Sequence, residues 1–219
     1  MNVSVGQDWV RWHGDYEAPR SSLARRLAVV RCHLWRALGE APRDPAGGRR
    51  LISLCAGDGR DVLPVLAAHP AGTDVRGLLL ELDPELSGRA RRTAGSMGLR
   101  SVDVRTVDAG AADTYRDVGR AHIVLACGVF GNLSDADMRR TVAALPALMV
   151  PGGIVIWTRG RGLGAGDRSD DVRDGFAAYG FLELAFVRPE DARFRVGMSR
   201  LRKANGARLE PGARLFQFL

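Results

Sequence analysis

Apolar residues follow two rhythms along this chain. Near the start, Leu23, Leu27, Val30, Leu34 and Leu38 recur at offsets of three and four, which predicts an amphipathic helix over 22–38. Pro19 closes the segment before it, and Ser21 or Ser22 can cap the helix. From Arg50 onward the rhythm changes to short apolar runs, each followed by a polar stretch of helical character. Strands are predicted over 50–55, 74–80, 102–107, 122–126, 154–158, 181–187 and 194–201. Helices are predicted over 59–68, 84–97, 134–148 and 170–179, with a short one near 111–117. Pro84 suits a first helical position. Ser134, followed by Asp135 and Asp137, offers a hydroxyl cap with acids at the positive end of the helix dipole. Pro151-Gly152-Gly153 reads as a turn into the fifth strand, 206–214 as loop, and 215–219 as a short terminal strand.

Strands alternating with helices at this spacing imply a mostly parallel sheet with helices on both faces, an α/β three-layer sandwich. At 219 residues the chain suits one such domain. The Pro- and Gly-rich stretch 39–48 divides an N-terminal helical cover, 1–48, from the main domain, 49–219. Within that cover Trp9, Trp12, His13 and Tyr16 are spaced to share one helical face. That face either covers the core or lids a site, and the lid reading makes His13 and Tyr16 candidate catalytic bases.

Composition narrows the function classes. No run of 18 apolar residues occurs, so no transmembrane helix is expected, and the polar N-terminus is unlike a signal peptide. Cys32, Cys55 and Cys127 have neither disulfide-framework nor metal-ligand spacing, which suits a reducing cytoplasm and no metal. The net charge of +7 raises nucleic acid as a partner. Against it, Lys203 is the sole lysine and the arginines are dispersed in short pairs, so a small-molecule partner is favoured.

The chemistry gathers where strands end. The run Leu51-Ile52-Ser53-Leu54 breaks into Cys55-Ala56-Gly57-Asp58-Gly59, a small-residue turn that lets a ligand approach the backbone. In open parallel sheets, ligands sit beyond such carboxyl ends. Glu81 comes directly after the second apolar run, about 20 residues beyond the glycines, where an acid can accept from ribose hydroxyls. Asp83 fits better as a cap for the next helix. Asp108-Ala109 ends the third strand, where a carboxylate can take an exocyclic amine or cap the next helical turn. Cys127-Gly128 through Asn132 ends the fourth. A Walker A loop is excluded because no lysine comes after the glycines, and the third glycine of a dinucleotide fingerprint falls on Val62.

In LISLCAGDGRD, LLLELDPE at 78–85, TVDA at 106–109 and LMVPGGIVIWT at 148–158, the chain resembles class I S-adenosylmethionine-dependent methyltransferases over roughly residues 50–202. The resemblance implies a Rossmann-like, seven-stranded sheet of order 3-2-1-4-5-7-6 with the seventh strand antiparallel. It implies S-adenosylmethionine as cofactor, held by Cys55, Ala56, Gly57, Asp58, Gly59, Glu81, Leu82, Asp108, Ala109, Cys127 and Gly128. The activity it implies is direct methyl transfer, in a bacterial cytoplasm, to a small molecule. An RNA- or protein-directed enzyme, or an inactive cofactor-binding protein, are the alternatives. Two positions depart from the family pattern: Ser53 stands where an acid is usual, and Cys55 where a first glycine is usual. Loss of one charged hydrogen bond costs about 1.5–3 kcal/mol, which Asp58 or Asp61 could restore. Cys55 and Cys127, ending neighbouring strands, are expected to lie beside the cofactor, either facing each other or simply packed.

Overall fold

In the computed structural model, which describes residue 18 and residues 21–160, 166–203, 206 and 208–219, the apolar runs pair into one sheet. The strands are β1 (Arg49–Ser53), β2 (Val75–Glu81), β3 (Val102–Thr106), β4 (Ala121–Ala126), β5 (Met149–Gly160), β6 (Phe181–Val187) and β7 (Phe194–Leu201). Their order is 3-2-1-4-5-7-6, as the sequence implies. Only β7 runs against the rest, between β5 and β6. The helices are α1 (Ser22–Glu40), α2 (Leu63–Ala68), α3 (Pro84–Ser96), α4 (Asp135–Leu148) and α5 (Ser169–Ala178). The expected helix near 111–117 is a single 3-10 turn, Ala112–Tyr115.

Both faces of the sheet are covered, which is why its strands are apolar runs rather than alternating ones. One layer sets Val30, Leu34 and Leu38 of α1, with α2 and α3, against Leu51, Leu79 and Ile123. The other sets Met138, Val142 and Leu145 of α4, with Val172 and Phe176 of α5, against Ile52, Leu80, Val124 and Trp157. Leu23 and Leu27, the first two members of the predicted stripe of α1, are only partly buried.

Helix ends obey local chemistry. The Ser21 and Ser134 hydroxyls accept from the backbone N–H groups of Ala24 and Asp137. The Asp83 carboxylate accepts from Glu85 and Leu86. Two expectations need correction. α2 starts at Leu63 rather than at 59: Pro64 sits in its first turn, and Gly59 is held at φ 77°, a left-handed conformation that no helix residue adopts. Pro151-Gly152-Gly153 does not precede the fifth strand but lies inside it. β5 already pairs at Met149 with Ala121, and the slip in register before Ile123 accommodates the extra residues.

The register brings the carboxyl ends of four strands level. Ser53 of β1 lies opposite both Leu79 of β2 and Leu125 of β4, and Glu81 lies opposite Thr106 of β3. Every turn leaving these strands therefore opens on the same edge. The terminal strand expected at 215–219 does not form. That segment crosses the edge instead, making two isolated bridges, Ala111 to Arg214 and Leu133 to Phe218.

Candidate functional site

Beyond the four strand ends lies a cavity of about 720 Å³. Its floor is the turn after β1. Cys55 adopts φ 49° and Gly57 φ 57°, both left-handed, so two closely spaced residues bend the chain away from the strand axis. Such a conformation is ordinary for glycine and strained for cysteine. The backbone N–H of Ala56 donates to the Leu80 carbonyl at 2.8 Å, tying the turn to β2.

Glu81 is the principal fastener of this floor. It is 9% exposed. One carboxylate oxygen, Oε2, accepts from the Gly57 N–H at 2.7 Å, and Oε1 accepts from the Asp83 N–H at 2.9 Å. A carboxylate offers about four lone-pair positions, so two remain for a ligand.

The loop after β3 carries Asp108. Its Oδ1 accepts from the Gly110 N–H at 2.7 Å, and Oδ2 is 2.9 Å from a guanidinium nitrogen of Arg214. The loop is held from behind, where Thr114 Oγ1 donates to the Asp108 carbonyl and Tyr115 Oη to the Ala109 carbonyl. The crossing segment is anchored on the same loop through the Leu215 N–H, which donates to the Gly110 carbonyl at 2.7 Å. A β-carbon on Gly110 would meet the Phe216 carbonyl oxygen at 2.3 Å, so residue 110 has to be glycine for the segment to lie there. At the far end the Leu219 N–H donates to the Asn132 carbonyl. Arg214, Phe216, Gln217 and Phe218 thus become a wall of the cavity, with the two rings stacked 5.8 Å apart.

Behind β4 the wall is Cys127, Gly128, Gly131 and Asn132, with Thr158 of β5. Thr158 Oγ1 accepts from the Gly128 N–H at 2.8 Å, and the Asn132 amide donates to the Gly128 carbonyl at 2.7 Å. Arg26 of α1 and Asp61 complete this side.

Of the residues picked from sequence, Cys55, Ala56, Gly57, Glu81, Leu82, Asp108, Ala109, Cys127 and Gly128 all border the cavity. Asp58 and Gly59 do not. Asp58 is turned into an ion pair with Arg60 at 2.6 Å, and Gly59 is buried against Leu63. Cys55 and Cys127 share the cavity but pack into opposite core layers, so they do not face each other. Burial, then the charges of Glu81 and Asp108, pushes the Cys55 thiol far above its usual range. Burial, then Asp61, does the same to Cys127. His13, Tyr16 and most of the 160–166 glycine loop lie outside the described residues. Two other histidines serve structure: Nδ1 of His122 accepts from the Arg50 N–H, and Nδ1 of His69 from the Ala71 N–H. Sequence reasoning missed Arg26 and the whole 214–218 wall. The only signal was an arginine at 26 on the predicted helix and the aromatic pair Phe216 and Phe218.

Neither a protein-family model nor a curated protein matches the chain. Solved structures do. Magnesium protoporphyrin IX methyltransferase from Synechocystis PCC 6803, with bound SAM, aligns at TM-score 0.66 and 15% identity, over 90% of this chain and 92% of that one. An O-methyltransferase family protein from Burkholderia thailandensis aligns at TM-score 0.64 and 16% identity, over 83% of this chain. There the chain spans only 56% of its counterpart. An RNA methyltransferase from Salinibacter ruber, in complex with S-adenosyl-L-homocysteine, aligns at TM-score 0.50 and 22% identity, over 80% and 94%. At these identities the shared property is the fold.

Proposed function

We propose that this chain is an S-adenosylmethionine-dependent methyltransferase acting on a small molecule. The observation that carries the reading is the Glu81 carboxylate. It pins the glycine turn from the end of β2 and keeps two acceptor positions for a pair of ribose hydroxyls. The rest of the cavity fits the same ligand. Small residues at 55–57 admit a backbone approach, Leu82 flanks a base, and Asp108 accepts from its exocyclic amine while Arg214 keeps the other oxygen. Neighbours of the same fold with bound SAM or S-adenosyl-L-homocysteine support the choice.

When bound, the cofactor supplies an electrophilic methyl group on a sulfonium. The protein's own work is to hold an acceptor in line with it and exclude water, which can lower a barrier by about 7–11 kcal/mol. The walls from β4, β5 and the 214–218 segment enclose that space. Cys55 and Cys127, kept as thiols, do not compete as nucleophiles. Residues 1–48 act as a cover, and His13 or Tyr16 within it removes the acceptor's proton where one must leave.

A small acceptor is favoured over RNA because surface arginines are interlaced with carboxylates. Arg25, Arg89, Arg105, Arg168, Arg173 and Arg188 all pair with acids, leaving little of the continuous basic track that a phosphate backbone needs. Three free thiols suit the reducing cytoplasm. Among the described residues no helix is long and apolar enough to cross a membrane.

Calorimetric titration with S-adenosylhomocysteine tests the reading. Wild type is expected to bind and Glu81→Ala to lose most of the affinity; absence of binding by wild type refutes it. Turnover that survives both His13→Ala and Tyr16→Phe removes the base. RNA binding with a steep salt dependence would transfer the acceptor to nucleic acid.

A further inference from the structure

A crossover between parallel strands usually carries a helix. Between β3 and β4 this chain has only the 3-10 turn Ala112–Tyr115. The groove left beside α4 is filled by the chain's own end. Leu215 and Phe216 are 2% and 3% exposed and join the core layer of Ala109, Tyr115, Leu133 and Met138. The backbone is tied on both sides of Arg214. The Ala112 N–H donates to the Ala213 carbonyl at 2.9 Å, and the Leu215 N–H to the Gly110 carbonyl at 2.7 Å. Just upstream, the Gly212 N–H donates to the Asp113 carboxylate at 2.9 Å.

That frame delivers one cation to the cavity wall. Nη1 of Arg214 stands 2.9 Å from Asp108 Oδ2, and the same nitrogen donates to the Phe216 carbonyl at 3.1 Å. Asp108 Oδ1 is already held by the Gly110 N–H at 2.7 Å. Anchored at one oxygen alone, a carboxylate still turns about its side-chain bonds; anchored at both, it is set in advance for a ligand. Gly110 makes room for the whole arrangement, since a β-carbon there would lie 3.2 Å from Arg214 Nη1 as well as 2.3 Å from the Phe216 carbonyl oxygen. The pair is not a stability device. Its side chains are 46% and 37% exposed, a setting in which ion pairs contribute little.

We propose that Arg214 is a positioning residue that sets base selectivity from the C-terminal segment. It fixes the Asp108 carboxylate in the orientation that accepts from an exocyclic amine and opposes a carbonyl oxygen at the same place. Without Arg214, the carboxylate swings aside: the amine loses its aimed acceptor, and the carbonyl meets no fixed charge. Selectivity is thereby controlled by a residue outside every strand and helix of the domain. This assignment rests on the cofactor reading, in which Asp108 meets the base.

Two ligands read this out by calorimetry: S-adenosylhomocysteine and S-inosylhomocysteine, whose base carries a carbonyl in place of the amine. Wild type is expected to bind the inosyl ligand roughly tenfold to hundredfold more weakly, the value of one hydrogen bond to a charged acceptor. Arg214→Gln and Arg214→Met are each expected to lose most of that preference through weaker S-adenosylhomocysteine binding, with the inosyl ligand unchanged. Unchanged inosyl binding also reports an intact pocket. A preference equal to wild type in either variant, or both ligands weakened alike, overturns the assignment. So does failure of both variants to fold, which would make Arg214 a structural residue. Asp108→Asn separates the underlying reading and is expected to abolish the preference. A preference that survives it, or none in wild type, refutes Asp108 as the partner of the base. If wild type binds neither ligand, the cofactor reading itself fails.

Discussion

Replacing Glu81 by glutamine changes one oxygen to an NH2 group and tests whether this side chain builds the site as well as serving it. The native carboxylate accepts from two backbone donors, Gly57 and Asp83, at 2.7 and 2.9 Å. An amide has one acceptor oxygen. Whichever way it is turned, its NH2 group faces one of the two N–H groups, donor against donor. The residue is 9% exposed, so water does not rescue the orphan. Losing a hydrogen bond to a charged acceptor in such a place costs about 1.5–3 kcal/mol. For a domain of this size each kcal/mol moves the midpoint by roughly 2–4 °C, which gives a fall of roughly 3–12 °C. The assay is thermal unfolding of the ligand-free protein, monitored by circular dichroism. Asp83→Asn provides a scale, because an asparagine still caps α3 and is expected to cost far less. A Glu81→Gln midpoint equal to wild type would refute the idea that this carboxylate holds the turn together.

Two further outcomes come from electrostatics. Burial alone would raise the Asp167 carboxyl, but hydrogen bonds from Ser169 and Arg195 outweigh it and hold the group at about 2, below its ordinary 3.8. A depressed carboxyl stabilises the fold above its unfolded value and loses that contribution as pH falls through the folded one. Asp167→Asn is therefore expected to cost about 2 kcal/mol at neutral pH, with the gap to wild type closing between pH 4 and 2 in denaturant titrations; a gap independent of pH would contradict this. Iodoacetamide at pH 8 is expected to label Cys32, which is exposed, and to spare Cys55 and Cys127, whose thiols resist ionisation. Mass spectrometry showing faster modification of either cavity cysteine would overturn it.

The parts of the fold that are local in sequence were legible there. Alternating apolar runs and amphipathic stretches mark every strand of the sheet, and the Gly57 turn with Glu81 marks its open edge, because each depends on neighbours a few residues away. Asp83 declares itself as a cap through Pro84, and the helix after Pro84 begins where the ring requires. The hidden parts are non-local. Nothing near Arg214 or Phe216 signals that they will lie against Asp108 and Gly110, about a hundred residues earlier; that contact exists only because Gly110 leaves room for a carbonyl. The 215–219 run has strand character but meets two loops instead of a strand, so it makes bridges and no ladder. Arg26 gives no sign from spacing alone, since its position matters only once α1 is laid across the turn before α2. Asp61 was visible as one of two acids beside the glycine turn, and it reaches the cavity wall. The other acid, Asp58, is turned into an ion pair with Arg60 and does not border the cavity.

The double duty of Glu81 bears on how such a chain can change over evolutionary time. On the proposed reading, a substitution that removes ribose recognition at Glu81 would also unfasten the turn after β1, so selection for folding alone would keep the carboxylate. Residues that touch only an acceptor carry no such lien. If the proposed reading holds, a lineage could exchange one acceptor for another, or abandon transfer altogether, and still inherit the floor that Glu81 fastens. The floor of the cavity is thus tied to the fold's construction in a way that its walls are not.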